Sequence, residues 1–263
     1  KHNPEDPNSI SNNNVSSIVE DHQGHLWIGT DGGGLNRFDL KREIFTHFRN
    51  DGNDLNSLSS DSVSALTIDN HDNLWVGTLD DGLNRFDLEK GIFTHYRFDA
   101  NDQNSLSDDS VLAVTVSSQG TLWIGTRNGG LNHLELKTEV FSHYRSNSND
   151  PNGLSDDTIN AITEDRQGNL WLGTWGGGLI RFNPKTESFI GYRFDVTDPN
   201  SLSNDTVFTI TEDHQGNIWV GTYGGGLNRF IPKTESFNRY RFDATDPNSL
   251  SNDAVFTITE DNQ

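Results

Sequence analysis

Residues 207–230 read VFTITEDHQGNIWVGTYGGGLNRF, and the fold follows from how this stretch is punctuated. Short apolar segments, VFTITED (207–213), NIWVGT (217–222) and GLNRF (226–230), are divided by His214-Gln215-Gly216 and by Gly224-Gly225-Gly226. Such runs are too short for helices and read as strands joined by tight turns. The three glycines are expected to supply the positive φ values a hairpin demands. A fourth segment, SFNRYRF (236–242), follows a third reversal at Pro232-Lys233-Thr234, since proline presets φ for a turn. In Ile218-Trp219-Val220 both strand faces are apolar, so both must be covered although the unit forms one sheet only.

Working outward, Trp27, Trp75, Trp123, Trp171 and Trp219 lie 48 residues apart with no insertion between them. A strict period of this length marks a repeat architecture. Each sheet is then covered by copies of itself, in a ring of blades or an open stack; four strands per unit favour the ring. The expected fold is all-β, a β-propeller of four-stranded antiparallel blades. The units run 15–62, 63–110, 111–158, 159–206 and 207–254, with a partial unit 255–263 whose Val255–Glu260 repeats the innermost strand. The five tryptophans are read as core. Ala65, Ala113 and Ala161 are small where innermost strands crowd, and Gly29, Gly77, Gly125, Gly173 and Gly221 mark close approach to the next blade.

The pattern V-x-x-I-x-E-D-x-x-G-N-(L/I)-W-(I/V/L)-G-T-x-G-G-G-L-N-R-F, clearest at 207–230, resembles the two-component regulator propeller repeat. The resemblance covers essentially the whole chain and implies part of an extracytoplasmic sensor region of bacterial hybrid regulators. Kinase, receiver and DNA-binding segments are absent from the sequence, so signalling would belong to a longer parent. Propellers of that family usually have about seven blades. Five units and a spare strand fit a fragment of a larger ring, a five-bladed ring, or closure through another chain, with self-association through the chain ends.

Composition narrows the partners. A net charge of −20 disfavours nucleic acid and anionic membranes. No cysteine is present, and no apolar run approaches the length of a membrane span, so this segment is not expected to insert in a bilayer.

One slot changes its chemistry in every unit. The residue before the glycines of the second hairpin is Asp31, Leu79, Arg127, Trp175 or Tyr223, and Asp80, Asp81 and Asn128 replace glycines nearby. In a propeller this hairpin and the inter-blade connection share one end, so these eight residues are expected to form a rim that binds a ligand. Neighbouring aromatics beside carboxylates and an arginine suit an oligosaccharide or another small polar ligand. The competing reading is drift at exposed tips.

Nothing assembles a catalytic constellation. His47, His95 and His143 repeat on outer strands, and His22, His71 and His214 lie in turns. His133 stands where the other units have Arg, and Ile180 where they have Asn. Asp150, Asp157, Asp198, Asp205, Asp246 and Asp253 in polar connections could offer oxygens to Ca²⁺, but no calcium-loop spacing occurs, so no cofactor or metal is expected. The Asp21 series and the Arg37 series suggest ion pairs between strands or blades.

The expected function is therefore noncatalytic binding of a ligand or partner by an extracytoplasmic sensor propeller. The alternative is a self-assembling scaffold, supported by 181–213 and 229–261 differing at five of 33 positions. A polysaccharide-active enzyme is the third reading, without residues to carry it.

Overall fold

The computed structural model describes residues 1–150 and 152–261, and in it five four-stranded antiparallel sheets follow one another along the chain. Blade 1 comprises β1 Val15–Glu20, β2 His25–Thr30, β3 Gly34–Asp39 and β4 Ile44–Phe48. Blade 2 comprises β5 Val63–Ile68, β6 Asn73–Thr78, β7 Leu83–Asp87 and β8 Ile92–Tyr96. Blade 3 has β9 Val111–Val116, β10 Leu122–Thr126, β11 Leu131–Glu135 and β12 Val140–Tyr144. Blade 4 has β13 Ile159–Glu164, β14 Leu170–Thr174, β15 Leu179–Asn183 and β16 Ser188–Tyr192. Blade 5 has β17 Val207–Glu212, β18 Ile218–Thr222, β19 Leu227–Ile231 and β20 Ser236–Tyr240. In every sheet each strand pairs only with its neighbours in sequence, and no helix occurs among the described residues.

Two compact units result, Lys1–His143 and Tyr144–Gln263. Within the first, β5 packs along β1 and β9 along β5; within the second, β17 packs along β13. The mid-strand glycines allow this approach. A Cβ on Gly29 would lie 2.5 Å from Val63 Cγ1, one on Gly77 2.6 Å from Val111 Cγ1, and one on Gly173 2.6 Å from Val207 Cγ1. Those valines belong to the following blade, and each is fully buried. Polar latches fix the register: Ser16 Oγ donates to Val63 O, Ser64 Oγ to Val111 O, and Asn160 Nδ2 to Val207 O.

The cores accordingly lie between sheets. Trp27 of blade 1 packs with Leu66, Val76 and Phe86 of blade 2, Trp75 with Val111 and Ile124 of blade 3, and Trp171 with Val207 and Phe230 of blade 5. Burial of each such side chain contributes about 1.5–3 kcal/mol, so adjacent blades stabilise each other. Trp27, Trp75, Trp123 and Trp171 are buried, whereas Trp219 is half-buried and stacks on Tyr240.

Four of the tryptophans are gripped twice; the aspartates bind the indole and not the arginines, while Arg85 and Arg181 make ion pairs with Glu139 and Glu235 of the following blade. Asp21, Asp69, Asp165 and Asp213 accept the indole N–H of Trp27, Trp75, Trp171 and Trp219 at 2.8–2.9 Å. Arg37, Arg85, Arg181 and Arg229 lie over the faces of the same rings, 5.7–5.9 Å from their centroids. Aspartate and arginine thus meet different parts of one indole. Blade 3 changes both together: Ser117 replaces the aspartate, and His133 stacks on Trp123 at 4.4 Å. Burial pushes the His133 ring below its ordinary pKa, so it stacks as neutral imidazole at pH 7.

Residues 255–260 depart from the expected innermost strand. Val255 N–H donates to Thr222 O, Ala254 bridges to Tyr223, and Glu260 pairs with His214, yet no strand forms there. The last two residues of the partial unit lie outside the described residues.

Candidate functional site

The second hairpin of each blade is locked by its backbone and by one threonine. Thr30, Thr78, Thr126, Thr174 and Thr222 are buried, and their hydroxyls donate to the carbonyls of Gly34, Gly82, Gly130, Gly178 and Gly226. Only the outer two of Gly224-Gly225-Gly226 have positive φ, at 90° and 78°. Gly225 has a different reason, because a Cβ there would lie 2.7 Å from both Asn204 Cβ and Thr222 Oγ1. The hairpin contacts the outgoing connection, as Gly82 N–H donates to Asp109 O, Gly178 N–H to Asp205 O, and Gly226 N–H to Asp253 O. Hairpin and connection thus share an end within each unit.

The variable slot is held in every blade by the same backbone hydrogen bond. Asp31, Leu79, Arg127, Trp175 and Tyr223 each donate the main-chain N–H to the carbonyl 17 residues earlier. Since the main chain does the holding, the side chain is free to differ.

In the first unit those side chains turn onto their surroundings. Asp31 Oδ2 accepts from Asn14 Nδ2, Arg127 Nε donates to Ser110 Oγ, and Asn128 Nδ2 to Asp108 Oδ2. Asp81 takes a forked pair of bonds from Arg97 at 2.7 and 2.8 Å, which holds the arginine's pKa above its ordinary value. Leu79 is half-buried and Asp80 exposed.

In the second unit they gather around one ring while staying exposed. Trp175 is 54% exposed and Tyr223 56% exposed, and both pack on Phe208 at ring separations of 5.8 Å. Phe256, 60% exposed, lies 5.2 Å from Phe208 and 6.3 Å from Tyr223. Thr206 ties the two hairpins, its hydroxyl donating to Trp175 O and its carbonyl accepting from Tyr223 N–H. Arg193 donates to Gly176 O and Arg241 to Gly224 O, so each aromatic sits beside an anchored guanidinium. Large apolar faces kept in water around one shared ring offer a stacking platform with polar groups at its edge.

Reading the hairpins alone misses Phe208. It occupies the second position of the innermost strand, where the other units carry Ser16, Ser64, Leu112 and Asn160 and where the partial unit again carries Phe256. That column varies as widely as the hairpin slot, and the 48-residue period exposes it.

Blade 4 lacks one latch of its incoming connection, although Ser155 Oγ still donates to Gly177 O. In blades 1, 2 and 5 a buried asparagine accepts the N–H of a serine in the incoming connection and donates to its hydroxyl: Asn36 to Ser11, Asn84 to Ser59, Asn228 to Ser203. Ile180 cannot do this, and Ser155 is exposed where Ser11, Ser59 and Ser203 are buried.

The other polar candidates are engaged structurally. His47, His95 and His143 place Nε2 at 2.8–2.9 Å from the carbonyls of Ser9, Ser57 and Ser105, pinning the incoming connection to the outer strand. Asp157, Asp205 and Asp253 accept the N–H of Ser146, Phe194 and Phe242, while Asp150, Asp198 and Asp246 accept from the residue two positions on. Among the described residues no group of three or more His, Asp or Glu side chains is arranged to hold a metal ion.

The family model described as two component regulator propeller matches residues 9–32, 57–80, 105–128, 153–176 and 201–224. The sequence matches no curated protein. Among solved structures, the extracellular domain of a hybrid two component system from B. thetaiotaomicron aligns with 95% of this chain and 38% of its own, at 27% identity and TM-score 0.76. A second such domain from the same organism aligns with 86% of this chain and 37% of its own, at 22% identity and TM-score 0.59. This chain therefore spans less than two fifths of either. Virginiamycin B lyase from Staphylococcus aureus shares the fold at 18% identity and TM-score 0.67, over 92% of this chain and 73% of its own. No helix among the described residues is long and apolar enough to cross a membrane. The five matches, one per blade and 48 residues apart, identify the chain as a β-propeller repeat protein of the two component regulator propeller family.

Proposed function

We propose that this chain is the noncatalytic, ligand-binding part of an extracytoplasmic sensor, and that its contact surface is the aromatic platform of blades 4 and 5. The observation carrying this reading is Phe208 shared between Trp175 and Tyr223, with more than half of each outer ring exposed. Similarity to extracellular domains of hybrid two component systems supports the setting. An oligosaccharide suits the chemistry: C–H faces of a sugar ring stack on Trp175 and Tyr223, and its hydroxyls reach the polar rim. Binding to an anchored platform and a less latched hairpin would bias the position of the blade 4 tip, which a longer parent could read out.

The test is glycan-array screening followed by calorimetry on the best binder. Trp175→Ala and Phe208→Ala are expected to weaken that binder about tenfold or more, since loss of a stacking ring removes roughly 1–3 kcal/mol. Unchanged affinity in both variants, or an array with no binder, sinks the reading. Asp80→Ala serves as a control distant in sequence from the platform.

A further inference from the structure

The guanidinium that covers each tryptophan normally meets a carboxylate from the next blade. Arg85 Nη1 donates to Glu139 Oε1 at 2.9 Å, and the Tyr96 hydroxyl donates to the same oxygen at 3.1 Å. Arg181 faces Glu235 at 3.8 Å beside Tyr192. Between blades 1 and 2 both partners of this arrangement are missing. Gly91 stands in the position of Glu139 and Glu235, and Phe48 in that of Tyr96 and Tyr192. Arg37 still lies 5.8 Å from the Trp27 ring centroid, but among the described residues no carboxylate stands within ion-pair distance of it.

The vacancy is open space. A Cβ on Gly91 would touch nothing within 4 Å, and a cavity of about 190 Å³ lies there, bordered by Arg37, His25, Gln23, Trp27, Phe48 and Phe86. Asp21, also at its border, does not compete for Arg37: its oxygens accept from Trp27 Nε1 and from the backbone N–H groups of Gln23 and His25. His25 Nδ1 lies 3.1 Å from Asp21 Oδ2, so the cavity combines a half-buried cation outside ion-pair distance of any described carboxylate, a neighbouring amide, an imidazole engaged by Asp21, and aromatic walls.

We propose that this cavity binds a small organic carboxylate with a planar apolar body. Its carboxylate occupies the place of the missing glutamate on Arg37, whose fork matches a carboxylate in two parallel hydrogen bonds. The body lies against Phe48 and Phe86. The net charge of −20 opposes anions at long range, but that field is screened beyond about 8 Å at physiological salt, whereas the Arg37 contact is short and partly desolvated. A competing account is that Gly91 merely relieves backbone strain. Its φ is 70°, and the glutamates at 43, 139, 187 and 235 hold 49–55° at the same turn.

Titration of the full chain with phenylacetate, followed by calorimetry and by the Trp27 indole N–H resonance, separates these accounts. Saturable binding is expected, with phenylacetamide, the neutral isostere, at least about tenfold weaker because a charge-assisted bond is lost. Gly91→Glu restores the residue used by the other blades, so it keeps the fold while placing its own carboxylate on Arg37. It is expected to weaken phenylacetate about tenfold or more. Absence of saturable binding, equal affinity for the amide, or unchanged affinity in Gly91→Glu overturns the proposal. Loss of binding in Trp175→Ala does so too, since that ring belongs to the other compact unit.

Discussion

Trp75 Nε1 donates to Asp69 Oδ2 at 2.9 Å across the turn that joins the first two strands of blade 2. Asp69 is 2% exposed and also accepts from the backbone N–H groups of His71 and Asn73 and from the Asn73 amide. One carboxylate thus satisfies a buried indole and builds the turn. Burial raises its pKa, but the bonds from Trp75 and Asn73 outweigh this and hold it below the ordinary value. Asp69→Ala leaves the indole donor buried without a partner, and about 3 kcal/mol of destabilisation is expected. Equilibrium denaturation measures it; a loss under about 1 kcal/mol would show that water replaces the carboxylate at no great cost.

The same contact in blade 5 gives a pH dependence with a defined sign. Burial raises the pKa of Asp213, yet hydrogen bonds from Asn217, Trp219 and the turn backbone bring it from 3.8 down to about 2. A carboxyl with a depressed folded pKa stabilises fully above its unfolded value, and that contribution disappears as pH falls from about 3.8 through about 2. Allowing for screening at a partly exposed site, it is about 1 kcal/mol. Melting temperatures of wild type and Asp213→Asn should therefore differ at pH 5 and converge towards pH 2. Parallel curves would assign acid lability to other carboxylates, Asp21 and Asp69 first, whose pKa values are also lowered.

Much of this organisation is legible in the 48-residue period. The tryptophans, the short segments and the mid-strand glycines each point to stacked four-stranded sheets, because repetition shows which positions cannot change. What period alone does not show is direction. Asp21 and Arg37 recur together and read as an ion pair, but the indole of Trp27 lies between their roles, its edge towards one and its face towards the other. Phe208 was open to view in its own variable column, yet a strand-interior position reads as packing. Only the backbone shows that this side chain emerges beside two hairpin tips. The Gly91 vacancy needed two columns read at once, Gly91 against glutamate and Phe48 against tyrosine.

Mid-strand glycine can be tested by contrast. A Cβ on Gly77 would lie 2.6 Å from Val111 Cγ1 and 3.2 Å from Val111 Cβ, and Val111 is fully buried. Gly77→Ala must displace a packed valine of the next blade, an overpacking cost of about 1–3 kcal/mol. Gly191 lies on β16 with nothing within 4 Å of the same atom. Gly191→Ala should be neutral or stabilising by up to about 1 kcal/mol, through the unfolded chain. Chemical denaturation of the two variants should split them in opposite directions; equal losses would mean that glycine serves strand geometry and not blade approach.

Ile180 offers a test of the missing connection latch beside Trp175. Asn36, Asn84 and Asn228 each hold a connection serine through its N–H and hydroxyl, and blade 4 has Ile180 and an exposed Ser155 instead. Ile180→Asn should draw Ser155 inward, because a buried amide left unpaired costs about 1–3 kcal/mol and the equivalent serine satisfies it in blades 1, 2 and 5. Hydrogen exchange at the Ser155 amide is then expected to slow about tenfold or more, with the Trp175 hairpin following through the Ser155 hydroxyl bond to Gly177 O. Slower exchange together with weaker ligand binding would assign the isoleucine to mobility of the tip. Unchanged exchange at Ser155, with a lower melting temperature, would show that the connection is held out by something other than the missing asparagine.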